Sequence, residues 1–428
     1  MTSTEVIAAP HPTSLSSHHI MAPTLTAQAL KDLDNLLEAY PYEGAPGTVV
    51  GINNTEGKLL FLKAVGTCNI DSGESMKADQ IFWIASCTKL ITGIAAMQLV
   101  EQGKLDLEAT VSGVLPELAE PDIIAHSTSP FDIHTRKAKT AITFRMLLTH
   151  TAGFSYSWYS QGIRHWTLAH QTNEFTAEPL KMPLVHEPGE AFEYGISMDW
   201  MGLAIERISG LKLGDYCDKY IFGPLGLKDI TFDLPSRPDL LKRLHPMHRY
   251  DLSSKKFSVD DHITYTHKST VHSGGAGIFS SAPDYLAIVA VLLNNGRGSN
   301  GAQILKPDTI ELMFQPHEGD LVKRRALDSE TISTVDSSWD RSGMLLWPGI
   351  SKGWGYSFLL NLEDIPGGRK AYSAEWGGIA NLYWHADRTS GVGSVVFNNI
   401  EPYSDPAFFK LQGDVHAILY KPGNLVDA

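Results

Sequence analysis

Strand-forming runs stand near both ends of this 428-residue chain and helical patterns fill its middle, so a single sheet has to be assembled from the two termini. Near the start, Pro46-Gly47 opens the β-rich run Thr48-Val49-Val50-Gly51-Ile52. Asn53-Asn54-Thr55-Glu56-Gly57 supplies turn chemistry before Leu59-Leu60-Phe61-Leu62, and Gly66 ends the pairing, which predicts an antiparallel hairpin. Near the finish, Ala380-Asn381-Leu382-Tyr383-Trp384-His385 and Val392-Gly393-Ser394-Val395-Val396-Phe397 flank the turn Asp387-Arg388-Thr389-Ser390-Gly391, a second hairpin. A terminal helix is expected from about Asp405.

Between Leu25 and Tyr40 apolar residues recur at helical spacing. A long helix is expected from Ser86 to about Gln102, where Leu90, Ile91, Ile94, Met97 and Leu99 keep that period and Gly103 offers a stop. Ser281-Ala282-Pro283-Asp284 reads as a capping-box-like start, and Tyr285 to Leu293 stay apolar until Asn294-Asn295-Gly296. From roughly 115 to 240, shorter helical patterns (Phe144 to Leu148, Met198 to Ser209, Leu213 to Ile221) alternate with loops rich in Pro, Gly and His. The expected fold class is α+β: an α/β sandwich whose antiparallel sheet is formed from both chain ends and flanked by helices, plus a mainly helical insertion. The expected boundaries are a tail over 1–24, the sandwich over 25–114 and 241–428, and the insertion over 115–240.

Composition excludes several classes of function. A hydrophobic share of 43% and a charged share of 19% describe a globular chain with enough apolar mass for a large core. The net charge of −13 is dispersed, and no basic run exceeds Lys323-Arg324-Arg325, too short to neutralise a row of phosphates, so no nucleic-acid partner is expected. Cys68, Cys87 and Cys217 lack any Cys-x-x-Cys or Cys/His ligand spacing, which argues against a disulfide framework or a zinc site and for a reducing, cytoplasmic setting. The Ser/Thr/Pro/His-rich start through Met21-Ala22-Pro23 has no signal-peptide core, and His18-His19 within it reads as solvated. No apolar run of about 18 residues occurs, so no membrane partner is expected.

The chemistry starts at Ser86-Cys87-Thr88-Lys89, where a serine and a lysine three apart share one helix face. A serine hydroxyl needs an adjacent base, and lysine serves only when neutral, so its ordinary pKa of about 10.4 has to fall. Lowering it by about three units takes roughly 4 kcal/mol of desolvation or nearby positive charge. The N-terminus of the same helix offers free N–H groups to an oxyanion, the backbone N–H of Ser86 among them. Ser-x-x-Lys alone is weak, since Ser253-Ser254-Lys255-Lys256 spells it again in a polar stretch. Ser86, however, follows the apolar segment Ile81-Phe82-Trp83-Ile84-Ala85, where helix capping is the competing role.

Four stretches in fixed order carry a resemblance. They are Ser86-Cys87-Thr88-Lys89 with its helix ending Glu101-Gln102-Gly103-Lys104-Leu105, then Leu147-Leu148-Thr149-His150-Thr151-Ala152-Gly153, then Tyr194-Gly195-Ile196-Ser197, and lastly Trp376-Gly377-Gly378. Over residues 27 to 420 the chain resembles the penicillin-binding and class C β-lactamase-like serine enzymes, in particular fungal lovastatin-type acyltransferases and family VIII carboxylesterases. The resemblance implies Ser86 as nucleophile, Lys89 as its partner and Tyr194, after the turn Glu187-Pro188-Gly189-Glu190, as the general base that shares the proton. It also implies an oxyanion hole from the N–H groups of Ser86 and Ile379, with Trp376, Gly377, Gly378 and Ile196 on the substrate. His150 belongs to a structural turn beside the cleft in that family. Lactamases carry Asn where Ile196 stands and Lys-Thr-Gly where Trp376-Gly377-Gly378 stands, so efficient β-lactam hydrolysis is not expected.

The implied reaction passes an acyl group from an ester or thioester, free or on an acyl carrier protein, through acyl-Ser86 to a hydroxylated small molecule or to water. It requires no metal or organic cofactor. Fungal secondary metabolism is the expected setting; a carboxylesterase, a D-amino-acid peptidase and a catalytically silent ligand-binding relative are the alternatives. Three other motifs fit poorly. Gly349-Ile350-Ser351-Lys352-Gly353 spells a nucleophile elbow without the strand before and helix after it. Ser273-Gly274-Gly275-Ala276-Gly277 lacks the lysine of a phosphate loop and reads as a tight backbone crossing, and Gly296-Arg297-Gly298-Ser299-Asn300-Gly301 closes a helix where a dinucleotide site would open one.

Overall fold

Seven strands form one antiparallel sheet in the order Lys352–Trp354, Leu359–Asn361, Ala374–Gly378, Leu382–Asp387, Val392–Phe397, Thr48–Asn54 and Leu59–Val65. Both hairpins read from the sequence are present, and they join where Val395 pairs with Gly51 and Val396 with Val50. The computed structural model describes residues 22–40, 44–172, 174, 182–251, 253–260, 272–317 and 349–427. Residues 1–21 with His18-His19, the Lys323-Arg324-Arg325 run and the Trp347-Pro348 flank of Ser351 lie outside the described residues.

Strand alternation sends successive side chains to opposite faces, and both faces are covered. Val50, Ile52 and Val396 pack with Leu33, Leu37, Leu411 and Val415 of the helices Ala27–Glu38 and Pro406–Leu419. Val49, Val395 and Phe397 join the larger core with Leu286 and Val289 of the helix Ala282–Leu293. This is the expected sandwich, helix layer on sheet on helix layer.

Local signals set most helix starts. Asp405 caps the terminal helix by accepting from Phe408 N at 2.8 Å. Ser281 Oγ accepts from Asp284 N, but the Asp284 carboxylate accepts from Lys228 N and Asp229 N instead of closing a capping box. The first helix begins at Ala27 and not at Leu25, because Pro23–Leu25 pairs with Leu425–Asp427 and ties the two chain ends together. The helix expected from Ser86 opens as a tight 3-10 turn, Ala85–Cys87, and is α-helical over Thr88–Glu101. That helix is buried on every side from Thr88 to Leu99, as suits a segment wedged between the sheet layers and the helices of the middle segment.

Within the middle segment the helices Phe144–Leu148, Gln161–His170, Ser197–Ser209 and Leu213–Cys217 stand beside a hairpin, Asp122–Ser129 with Asp132–Lys137. The sequence pattern does not signal that hairpin: its residues are largely polar and half-exposed or exposed, so no alternation marks it.

Candidate active site

Ser86 is the one residue between Gln80 and Leu99 that is not buried, and it opens into a cavity that is partly open to solvent. The strand Ile81–Trp83 delivers the chain to this point, and Ala85 is held in the left-handed region at φ +45°. A non-glycine residue there costs on the order of 1 kcal/mol or more, a strain found where a neighbouring side chain has to be aimed. The Ala374–Gly378 strand closes against the same turn: a Cβ on Gly378 would lie 2.9 Å from Ile84 O and 3.2 Å from the Ala85 Cβ. Only glycine lets the strand end come this close.

Lys89 has no exposed surface. Its Nζ donates to Ser86 Oγ at 3.0 Å, to Gly275 O at 2.9 Å and to Tyr156 Oη at 3.3 Å. Burial away from water lowers its pKa from 10.5 to about 8, against the pull of the Asp199 carboxylate towards the charged form. The requirement set out from the sequence, a serine-side lysine discharged by desolvation, is met in direction.

Tyr194 lines the same cavity as Ser86, and its Oη accepts from Trp376 Nε1 at 3.0 Å. The Lys89 Nζ stands 4.8 Å from the centre of its ring. Burial raises the Tyr194 pKa above its ordinary 10, more than the neighbouring Ser86 and Trp376 groups lower it, so the phenol stays protonated near neutrality, a state that suits a proton donor and not the general base expected from the resemblance. Lys89 thus lies between the Ser86 hydroxyl and the Tyr194 ring.

Trp376, Gly377, Gly378 and Ile379 line the same cavity as Ser86 and Tyr194. Ile196 is fully buried and does not line it. His150, also buried and at φ +55°, lays its ring 4.8 Å from that of Tyr194 and 5.3 Å from that of Trp354, so it buttresses the phenol. The second Ser-x-x-Lys copy is an exposed turn in which Asp251 accepts from Ser253 and Ser254. Ser351 precedes the edge strand Lys352–Trp354, where a nucleophile elbow would need a helix to follow.

Several residues of the site carry no motif. Tyr156 donates no signal except its place in the aromatic loop Tyr156-Ser157-Trp158-Tyr159; its ring stacks on Trp158 at 4.4 Å and 10°. Trp158, Tyr159, Tyr403, Phe408 and Phe409 complete an aromatic wall. Glu375 also reaches the cavity, with its carboxylate engaged by Arg369 Nη2 and by Tyr383 Oη, each at 2.7 Å. Among the described residues no cluster of His, Cys, Asp and Glu could hold a metal ion, the three cysteines are free and buried, and no helix is long and apolar enough to cross a membrane.

A serine, a buried amine and a phenol stand together at an aromatic cavity, and comparison with known proteins places the fold around them. The chain belongs to the Beta-lactamase family, whose pattern it matches over residues 33–412. It is 30% identical to the ML-236A carboxylate methylbutanoyltransferase of Penicillium citrinum, over 84% of this chain and 87% of that protein. It is 33% identical to the lovastatin esterase of Penicillium rubens, over 82% and 88%. Among solved structures, the simvastatin synthase of Aspergillus terreus superposes with a TM-score of 0.81 at 27% identity, over 93% of this chain and 100% of that one. The chain is thus an enzyme of the β-lactamase-like fold, in a group whose members transfer acyl groups or cleave esters.

Proposed function

We propose that the protein transfers an acyl group from a small ester or thioester to a hydroxylated small molecule through an acyl-Ser86 intermediate. The observation that carries this reading is the fully buried Lys89 amine, its pKa brought to about 8, in contact with a serine hydroxyl that faces the cavity. Neutral Lys89 takes the Ser86 proton as Oγ bonds to the acyl carbon, and the N–H groups of Ser86 and Ile379 receive the oxyanion. Collapse breaks the bond to the leaving alkoxide or thiolate. Tyr194, protonated and on the same cavity wall as Ser86, donates to that leaving group and is restored from the Lys89 ammonium. An acceptor alcohol then runs the same steps in reverse and frees Ser86.

The aromatic wall supports a bulky, uncharged substrate region, because Glu375 already has its counter-ions and the remaining described lining side chains offer rings and aliphatic groups. The fungal transferases and esterase among the relatives favour a place in secondary metabolism. Free, short donors and donors held on an acyl carrier protein both suit this chemistry.

A fluorophosphonate probe with peptide mapping tests the nucleophile. Labelling is expected on the peptide holding Ser86 and absent in Ser86→Ala, with turnover of an acyl thioester reduced by about 10⁴-fold or more. Labelling that persists in Ser86→Ala refutes the reading. A hydrolytic reading is favoured by the lovastatin esterase relative; release of acid that does not fall when an acceptor alcohol is added selects it over transfer.

A further inference from the structure

The glycine-rich segment Ser273-Gly274-Gly275-Ala276-Gly277, which binds no phosphate by its sequence, has a definite task in the fold. Three successive carbonyls of this segment face the nucleophile strand and helix. Gly274 O accepts from Thr92 Oγ1 at 2.8 Å, Gly275 O from Lys89 Nζ at 2.9 Å and Ala276 O from Trp83 Nε1 at 2.6 Å. The loop is thus a clamp on the residues that present Ser86.

The clamp is itself held from behind by Asp199, in the first turn of the helix Ser197–Ser209. Asp199 Oδ1 accepts from Ser273 Oγ and, at 3.2 Å, from Gly275 N. Ser273 Oγ in turn accepts from Ala276 N at 2.9 Å, and Gly277 N donates to Ser273 O at 2.9 Å. The fit is tight: a Cβ on Gly275 would lie 2.5 Å from Asp199 Oδ2. One residue therefore separates the carboxylate from the amine, with the Gly275 N–H on Asp199 and the Gly275 carbonyl on Lys89.

We propose that Asp199 is a positioning residue for Lys89, acting through Gly275 to fix where the amine sits and through its charge to fix how readily the amine gives up a proton. This rests on the reading of Lys89 as the base. The titratable groups facing Lys89 are Cys87 on its own helix, His150 and Tyr156 from the 150–156 loop, Tyr194, and Asp199. Burial keeps the Cys87 thiol and both phenols protonated and His150 neutral; it also raises the Asp199 carboxyl, against Lys89 and the bonds from Ser273 and Gly275, and Asp199 is the carboxylate that opposes discharge of the amine. A carboxylate one residue removed, and not in contact, favours the ammonium without locking it in an ion pair.

The test is the pH profile of kcat/KM with an activated ester. Asp199→Asn keeps an oxygen for Ser273 Oγ and Gly275 N but removes the charge. Its acidic limb is expected to move to lower pH by about one unit, with the plateau within about tenfold of the native enzyme. Gly275→Ala keeps every charge and pushes the loop off Asp199. It is expected to lose about 10²-fold on the plateau with the limb in place. A limb in Asp199→Asn that superimposes on the native one overturns the proposal, as does a Gly275→Ala enzyme with a native plateau. Lys89→Met measured alongside separates the two failures: an active Lys89→Met sinks the proposed mechanism itself, whereas an inactive one with an unmoved Asp199→Asn limb sinks only the role of Asp199.

Discussion

Among the described residues two lysines, Lys89 and Lys352, have no exposed surface, and their surroundings are opposite in kind. Lys352, on the edge strand Lys352–Trp354, has its Nζ 3.4 Å from Glu375 Oε1 in a cluster completed by Arg369 on Oε2. Lys89 touches a hydroxyl, a phenol and a peptide carbonyl, all uncharged, and its nearest named carboxylate acts from behind Gly275. Burial lowers the pKa of both amines, and Glu375 opposes the shift at Lys352. Burial pushes the Glu375 carboxyl up, yet Arg369 and Lys352 outweigh it and leave the group below its ordinary value. Desolvation alone therefore does not make a base. A base also needs the absence of a touching counter-ion and the presence of an acid to deprotonate.

The strongest way to break this contrast is Lys89→Met. Loss of about 10³-fold or more in kcat/KM is expected, and the thermal midpoint should hold or rise near neutrality. The sign follows from proton binding: between about 8 and 10.5 the unfolded lysine holds a proton that the folded one releases, so the native fold loses stability as pH falls through that window and stays at the lower level below it. Removing the amine removes that loss. In the native enzyme kcat/KM should climb about tenfold per unit up to an apparent pKa near 8 and level off above it, a limb absent from Lys89→Met. A profile flat down to pH 6 would contradict a lysine base.

Lys352→Met sharpens the contrast from the other side. It strips one cation from the Glu375 cluster while Arg369 remains, for an expected stability loss of about 2 kcal/mol, read by denaturant unfolding. Turnover per folded molecule should stay within about threefold. The smallest effect is expected from Trp376→Phe, which keeps an aromatic wall but withdraws the Nε1–H from Tyr194 Oη. A fall in kcat of about fivefold with KM little changed would place that bond in the proton path, and an unchanged kcat would leave Trp376 as wall alone.

Much of the site was legible because its signals are local. Ser86 and Lys89 share a helix face by spacing; at Gly378, read as a residue that admits substrate, it is the Ile84 carbonyl that comes close. Tyr194 required the order of four motifs, since no local pattern sets a phenol beside a distant amine. Tyr156 was missed, although it bonds to Lys89 as closely as 3.3 Å, because an aromatic residue in a loop reads like any core residue. Ile196 shows the converse: a motif neighbour of Tyr194 that faces the core and not the cavity.

By itself the sequence determined the two hairpins, the helix caps at Ser281 and Asp405, and the Ser86–Lys89 pair, because each depends on residues within a turn or a strand pair of one another. Tertiary structure alone decided that Pro23–Leu25 leaves the first helix for a strand with Leu425–Asp427, that Tyr403 and Phe409 wall the cavity of Ser86, and that Asp199 reaches Gly275 across 76 positions. Those contacts come from how whole layers pack, and periodicity in a chain records which face of an element is apolar, not which distant element will cover it.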